Sequence, residues 1–517
     1  MITNQILFTI SSPLEVKLKL KKEINSIFHP ISIMSNARKD LLKEKLDQLQ
    51  CQFTWGPQKE IIDLDDMKHR LQDSIQAGVK YQAMSYNQLA FVNCLQGNCD
   101  EAIQNLKEAE KILWENHEHE FEKRSIITYG NYAWVYYHMG QLTEVQSYLD
   151  KLEMICKRFT NGSRYTAMIP EVYGEKGWSL LKSCRKYYEE AKECFEKALE
   201  EDPDDTEWNV GYAIALFRLE GFSCTSESGE HSQSMKQLRR VLELDPDDSV
   251  AMVLLALKLQ EFKQKEEAFK LVEQALQKSP DLPYVTRYAA KLLRREGAVE
   301  KSLQLLKKAL EITPNSTFLH HQIGLCYRSK LFQLNKNPGS KDPRNPAFQQ
   351  RAELIKQCKF YFQKAFQLKP SFIIAQLDFA GICSLNGEYL KSEEIYSNLL
   401  KFKDLHPQNK QSICLQVGLF ELHHKRSESN AITHFLEGLK IQRGTREWEL
   451  FRTNLRKIAA KQIDRNRRDS KAFGILGLLH QLDGEKREAI ECFEKALEFD
   501  GDNEEYLSAL CELRLSI

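Results

Sequence analysis

Three prolines lie at an even spacing in the middle of the chain, and each follows an amphipathic segment. Pro246, Pro280 and Pro314 are each 34 residues from the next. Because proline cannot continue a helix, each of them marks the end of a helical unit. A fixed period of this length predicts that one structural unit is repeated along the chain.

Small residues recur twelve and five positions before these joints, where the two helices of a repeat would approach closely. They are Ala191 and Ala198 before Pro203, Ala268 and Ala275 before Pro280, Ala309 before Pro314, Ala365 before Pro370, and Ala489 and Ala496 before Gly501. The segments AKECFEKALEEDPDD and AIECFEKALEFDGDN are near copies from distant parts of the chain. This pattern is typical of the tetratricopeptide repeat. We therefore predict an all-α superhelical solenoid with a binding surface inside it.

The composition agrees with helical repeats and argues against several classes of protein. No apolar run approaches the ~18 residues of a membrane helix, and the 13 cysteines form neither a Cys-x-x-Cys pair nor a zinc-type spacing. We predict a cytosolic protein with reduced thiols, no membrane contact, and no metal or other cofactor. A P-loop, Gly-x-Ser-x-Gly and His-Glu-x-x-His are all absent from the sequence, so we predict that it is not an enzyme.

The positions of the charges matter more than their sum, since 73 basic residues balance 73 acidic ones. Positions 2, 5, 9 and 12 of the first helix in each repeat fall on one face. In the repeat that starts at Pro283 they are Tyr284, Arg287, Lys291 and Arg294, beside Arg295. To the same stripe we assign Tyr173, Lys176, Ser179 and Lys182 after Val172, which are spaced by three, then Glu207, Val210, Ile214 and Phe217 beside Arg218, then Phe318, His321, Leu325 and Arg328 beside Gln322. The repeat that starts at Ser249 places only uncharged residues there.

Aromatic and cationic side chains on one inner face predict a surface that binds phosphates and bases. For any single Lys or Arg, the alternative is a solvated surface charge. For Trp178 and Tyr188 the alternative is packing in the groove between helices.

Several longer strings resemble the interferon-induced proteins with tetratricopeptide repeats, from about Met34 to Ile517. They are CQFTW at Cys51–Trp55, GNYAWVYYHMGQL at Gly130–Leu142, EKGWSLLK at Glu175–Lys182, GYAIALFRL at Gly211–Leu219, VLLALKLQ at Val253–Gln260, YVTRYAAKLLRR at Tyr284–Arg295 and LHHQIGLCYR at Leu319–Arg328. The resemblance implies a cytoplasmic antiviral effector of innate immunity. Such a protein binds single-stranded RNA with a 5′-triphosphate or an incompletely methylated cap in a central basic tunnel, and competes with the translation-initiation machinery for foreign messages.

The resemblance also implies roles for individual residues. The 5′-phosphates would be bound by Arg70, Lys182, Tyr188 and Arg218, and a cap guanine would stack on Trp178, supported by Ile214 and Glu207. The RNA body would contact Tyr284, Arg287, Tyr288, His321 and Gln322, and the inner stripe adds Lys291 and Arg294. The chain departs from the family pattern at Ser74, Val79 and Val250, which leaves the preference between triphosphate and cap open.

We divide the chain by these roles. Residues 1–33 are an extension that need not be ordered, 34–282 form the 5′-end pocket within the helical N-terminal segment and central repeats, 283–406 line the tunnel, and 407–517 are C-terminal repeats. The chain ends in EYLSALCELRLSI without a polar cap, which predicts homo- or hetero-oligomers with family members. The competing hypothesis is a scaffold whose concave face binds acidic peptides or partner helices without recognising RNA ends.

Overall fold

The computed structural model describes residues 37–55, 63–76, 78, 82–159, 163–221, 232–336, 346–402 and 405–515, and within these ranges it contains helices and turns but no strand. The extension 1–33, Val79 and most of the two long insertions lie outside the described residues. The chain divides into two compact units, one that ends at Ala215 and one that begins at Leu216.

The first unit is built from consecutive helices. They are α1 (37–46), α2 (Gln52–Trp55), α3 (Leu64–Gln76), α4 (Gln82–Leu95), α5 (Cys99–Asn116), α6 (Phe121–Arg124), α7 (Ile126–His138), α8 (Leu142–Cys156), α9 (Pro170–Ser183) and α10 (Tyr188–Glu201). The next helix, α11 (Thr206–Glu220), runs across the boundary between the units.

The second unit continues the same pattern. Its helices are α12 (Gln233–Leu244), α13 (Ser249–Glu261), α14 (Lys265–Lys278), α15 (Pro283–Arg295), α16 (Val299–Ile312), α17 (Thr317–Lys336), α18 (Pro346–Leu368), α19 (Ile373–Leu385), α20 (Tyr389–Leu400), α21 (Pro407–Phe420), α22 (Glu428–Leu439), α23 (Arg446–Arg465), α24 (Ser470–Asp483), α25 (Lys486–Phe499) and α26 (Glu504–Leu515). A short π-helix, Glu421–Lys425, extends α21.

Successive helices pack in pairs, α9 with α10, α13 with α14 and α24 with α25 among them. The small residues predicted at the helix contacts are buried, with at most 2% of their surface exposed: Ala191, Ala198, Ala268, Ala275, Ala309, Ala365, Ala489 and Ala496. Alanine at these positions lets two helices approach without a cavity or a clash. The predicted all-α repeat architecture is confirmed.

Local sequence sets where the helices begin. The Asp248 carboxylate accepts the backbone N–H of Ala251 at 2.7 Å and so caps α13. Replacing such a cap with alanine costs about 1 kcal/mol. Pro283 lies in the first turn of α15, where its missing N–H has no helical partner to lose. The start of α15 is therefore fixed, and with it the face on which each of its side chains lies.

Two glycines let α9, α10 and α11 lie close together. A Cβ on Gly174 of α9 would sit 2.1 Å from Nε1 of Trp208 in α11, and a Cβ on Gly211 of α11 would sit 2.4 Å from the ring of Phe195 in α10. Neither position accepts a larger side chain unless a buried ring moves. These contacts hold the backbone that carries Trp178, Lys182 and Glu207.

In the part of the chain that the structure describes, no helix has both the length and the apolar character needed to cross a bilayer. The cysteines described there are free thiols.

Candidate nucleic-acid interface

In the first unit, α9 presents a polar face to α4. The Lys182 ammonium donates to the Ser85 hydroxyl at 2.9 Å, and the backbone carbonyl of Ser179 accepts from the Gln88 side chain at 2.6 Å. Gln88 and Ser179 are buried, whereas Lys182 is half-buried. The lysine side chain is therefore held at one place by a neutral partner.

The inner stripe predicted for α9 is partly wrong. Lys176 faces α10, where its ammonium pairs with the Glu190 carboxylate at 2.8 Å, and the Tyr173 ring lies 5.7 Å from the Lys197 ammonium of the same helix. Nine residues separate Tyr173 from Lys182, and at 3.6 residues a turn they are roughly half a turn apart. The face toward α4 carries Ser179 and Lys182 together with Glu175, which the stripe had omitted.

Glu175 is the centre of a buried polar network. Its Oε1 accepts from the Asn87 amide at 3.2 Å and from the Gln52 amide at 3.4 Å, and Gln52 in turn accepts from the Asn131 amide at 2.6 Å. Burial raises the pKa of the Glu175 carboxyl, while the Asn87 hydrogen bond and the charge of Lys182 oppose that shift. The network fixes one carboxyl group in the electrostatic field of Lys182.

Glu207, predicted to support a cap guanine, is a second carboxyl group near Lys182, and 16% of its side chain is exposed. Burial raises its pKa to about 8, with the charge of Arg124 acting in the opposite direction and that of Glu175 reinforcing the rise. The Arg124 guanidinium is 3.8 Å from Glu207 and 3.0 Å from Glu120. Sequence reasoning missed Arg124 because the short helix α6 lies outside the 34-residue pattern.

The predicted phosphate ligand Arg70 braces the end of α9. Its Nε pairs with Asp66 at 2.9 Å, and its terminal nitrogens donate to the backbone carbonyls of Lys182 at 3.1 Å and Ser183 at 3.4 Å. About half of the Arg70 side chain remains exposed, 48% by area. Arg70 therefore lies next to Lys182, and it also satisfies carbonyls that the end of a helix leaves unpaired.

The remaining residues of the first unit that were predicted to bind the 5′ end lie on α9, α10 and α11. Trp178 is buried, with its ring edge-on to Phe195 at 5.4 Å and the Lys182 ammonium 5.9 Å from its centroid. Ile214 is buried in α11, and Tyr188 is half-buried at the start of α10. Trp178 therefore packs against a neighbouring helix, as the alternative interpretation predicted, and the Lys182 ammonium also lies near its ring.

In the second unit, α15 places its cations among aromatic rings. The Arg287 guanidinium carbon lies 4.2 Å from the ring centroid of Tyr284, 5.1 Å from that of Tyr288 and 5.2 Å from that of Phe318. The Tyr284 and Tyr288 rings are themselves 4.8 Å apart. Guanidinium–ring contacts of this kind pre-orient the arginine while leaving its donors available to an anion.

Acidic groups compensate only part of the charge on this face: Glu261 pairs with Arg295 at 3.6 Å, and the charge of Asp378 acts on Arg294. Burial, reinforced by Arg295, lowers the pKa of Lys291, and burial also lowers the pKa of Arg294. Burial raises the pKa of Tyr284, and the charges of Arg218 and Arg287 act against that shift. The Nε atoms of Arg287 and Arg294 are buried and have no hydrogen-bond partner among the described residues.

His321 and Gln322 lie on α17 next to this cluster. Gln322 accepts from the Arg294 guanidinium at 3.4 Å, and the His321 Nε2 lies 2.7 Å from a carboxylate oxygen of Asp378 in α19. Asp378 also pairs with Arg328. Asp378 could not be predicted from the repeat pattern, since it lies in another repeat, 57 residues beyond His321.

Comparison with known proteins identifies the family. A tetratricopeptide-repeat family model matches residues 171–205 and 470–503. The human antiviral innate immune response effector IFIT1 is 40% identical over 464 residues, which is 90% of this chain and 97% of that protein. Two solved structures of human IFIT1 dimers have similar folds: the one with m7Gppp-AAAA has 40% identity and a TM-score of 0.81, and the one with PPP-AAAA has 39% identity and a TM-score of 0.78. Each covers 89% of this chain and all of its own. The chain belongs to the family of interferon-induced proteins with tetratricopeptide repeats.

Proposed function

We propose that this protein binds single-stranded RNA by its 5′ end, with a 5′-triphosphate or an incompletely methylated cap as the recognised group. Bound in a basic tunnel, the RNA would be withheld from translation initiation, which makes the protein an antiviral effector of innate immunity. The observation that carries the proposal is the cluster of cations and rings on α15, where the Nε atoms of Arg287 and Arg294 have no hydrogen-bond partner among the described residues, in a chain 40% identical to a protein solved with capped RNA.

The chemistry of the two clusters supports a division of labour. Lys182 and Arg70 in the first unit offer a point charge and a planar fork, which together suit a polyphosphate. Tyr284, Arg287 and Tyr288 in the second unit offer stacking faces that bind any base. We propose that the first cluster binds the 5′ end and the second binds the RNA body, in keeping with the division at residues 282 and 406.

We further propose that the protein acts by binding and not by turnover, and that it acts in the cytoplasm. The proposed ligand contacts are cations and rings. None of them forms the pair of nucleophile and base that covalent catalysis needs.

A single titration series tests the proposal. Binding of a short 5′-triphosphate RNA, its capped forms and its 5′-hydroxyl twin is measured by fluorescence anisotropy at several salt concentrations. We expect a steep salt dependence with a large preference for the triphosphate or the cap over the hydroxyl. Equal, weak binding of all the RNAs would contradict the proposal and favour the protein-binding scaffold.

Oligomers through the C-terminal repeats are part of the proposal, because the related human structures are dimers and α26 leaves Leu507 and Leu515 exposed. Light scattering after gel filtration tests this, with Leu507→Glu expected to shift the protein toward the monomer. An unchanged oligomer would place the interface elsewhere.

A further inference from the structure

A carboxylate on α19 joins two groups on α17. Asp378 Oδ2 lies 2.7 Å from Nε2 of His321, and its Oδ1 pairs with the Arg328 guanidinium. The His321 ring is also packed edge-on to Phe372 at 5.0 Å and against Phe362 at 5.6 Å. The imidazole is thus held by rings on its sides and by one acceptor at its tip.

An ionised carboxylate can only accept, so the proton of the imidazole in this contact is on Nε2. The other ring nitrogen, Nδ1, is then the acceptor in the neutral imidazole. A ribose 2′-hydroxyl is a donor that such a nitrogen can bind, and this group distinguishes RNA from DNA.

From this geometry we propose that Asp378 is a positioning residue for RNA binding: it fixes the tautomer and orientation of His321 and holds Arg328 beside it. The inference rests on the proposed function and deepens it, because it assigns a role to a residue that does not itself touch RNA. An acidic side chain beside Arg328 and Arg294 otherwise opposes the binding of a polyanion.

The direction in which RNA affinity changes when Asp378 is removed therefore decides between two roles for this residue. If Asp378 contributes only its charge, removing it makes the surface more positive and RNA binding becomes tighter. If it positions His321 and Arg328, removing it weakens binding although the surface has gained positive charge. The two accounts predict opposite directions for one substitution.

The test compares Asp378→Ala, Asp378→Asn and the unaltered chain in anisotropy titrations with 5′-triphosphate RNA. We expect Asp378→Ala to weaken binding roughly tenfold, as removal of an orienting second partner does at metal sites. Asp378→Asn keeps an acceptor for His321 and is expected to recover part of the loss. Glu300→Gln is the matched control, since Glu300 of α16 pairs with Lys330 of α17, the helix that carries His321, and is largely exposed. It should change binding by no more than about twofold.

Two further measurements separate positioning from a structural role. In a His321→Ala background, Asp378→Ala should weaken binding much less than in the unaltered chain, because the group it orients is gone. Long-range ¹H–¹⁵N spectra should show the Nε2–H tautomer of His321 in the unaltered chain and a mixture in Asp378→Ala.

Tighter or unchanged binding by Asp378→Ala, an equal loss in both backgrounds, or an unchanged tautomer in that variant would overturn the inference while the proposed function stands. If the unaltered chain shows no preference for triphosphate or capped RNA over the hydroxyl twin, the proposed function fails and the inference fails with it.

Discussion

The cations of the two units differ in what surrounds them. In the first unit, positive side chains have acidic neighbours: Arg70 pairs with Asp66, Arg124 with Glu120, and Lys182 shares its field with Glu175 and Glu207. In the second unit, α15 brings Arg287, Lys291 and Arg294 together. Aromatic rings surround Arg287, and the buried Nε atoms of Arg287 and Arg294 have no hydrogen-bond partner among the described residues.

This difference separates selectivity from affinity. Cations that already have acidic partners discriminate between ligands by geometry, because any ligand must replace interactions that already exist. A face whose cations are only partly compensated gains free energy from almost any polyanion, because the anion offsets both the desolvation of the cations and their mutual repulsion. We therefore expect the α15 face to provide most of the affinity for RNA. The groups around Lys182 on α9 should provide the preference for one kind of 5′ end.

The largest effect is expected from Arg287→Glu. Reversing a partly buried charge that contacts a polyanion costs about 2–5 kcal/mol, a loss of roughly thirtyfold to several thousandfold in affinity. We expect the loss for triphosphate and hydroxyl RNA alike, as measured by anisotropy, with a melting temperature close to that of the unaltered chain. A melting temperature that falls steeply would mean that Arg287 has a structural role.

Lys182→Glu should change the preference for triphosphate RNA over hydroxyl RNA more than it changes the overall affinity for RNA. It places a third acidic group near Glu175 and Glu207, so the ratio of triphosphate to hydroxyl binding should fall roughly tenfold or more. Competition between the two RNAs measures that ratio directly. If the ratio is preserved while both affinities fall, Lys182 belongs with the RNA-body contacts and our assignment of the 5′ end is wrong.

Glu207→Gln tests whether the raised pKa of the Glu207 carboxyl makes the stability of the protein depend on pH. A carboxyl with a raised folded pKa destabilises the fold when ionised, so stability is lost as pH rises from the ordinary value through about 8. Glutamine does not titrate. The variant should therefore match the unaltered chain near pH 5 and melt about 2–4 °C higher near pH 9. Equal melting temperatures across this pH range would show that Glu207 is solvated.

The smallest effect is expected from Lys176→Glu, the matched control for Lys182→Glu. The same charge reversal on the same helix, but on the side facing Glu190, should change the RNA preference by no more than about twofold. A loss comparable to that of Lys182→Glu would restore the stripe first predicted for α9.

Periodic information determined what the sequence could predict. The alanines at helix contacts were predicted correctly because prolines fix the register of those repeats. Pro283 begins α15 itself, and the RNA-binding role of the α15 stripe stays a prediction. In α9 the four predicted residues were spaced by three throughout, which is less than the 3.6 residues of a helical turn, so the predicted face drifted round the helix.

Partners between helices that are distant in sequence could not be predicted. Glu175 with Gln52, and His321 with Asp378, are separated by 123 and 57 residues, and the period contains no information about which polar side chains meet. The predicted contacts with RNA, and the division of the chain by function, stay predictions until the titrations above are made.

The four-residue helix α2 has a consequence for anyone who shortens this protein. Gln52 is its buried residue, and it links Asn131 of α7 to Glu175 of α9. A truncation that begins after residue 55 would leave a carboxyl group and an amide in the interior with fewer partners. The damage would reach the neighbourhood of Lys182 although no proposed RNA contact had been deleted.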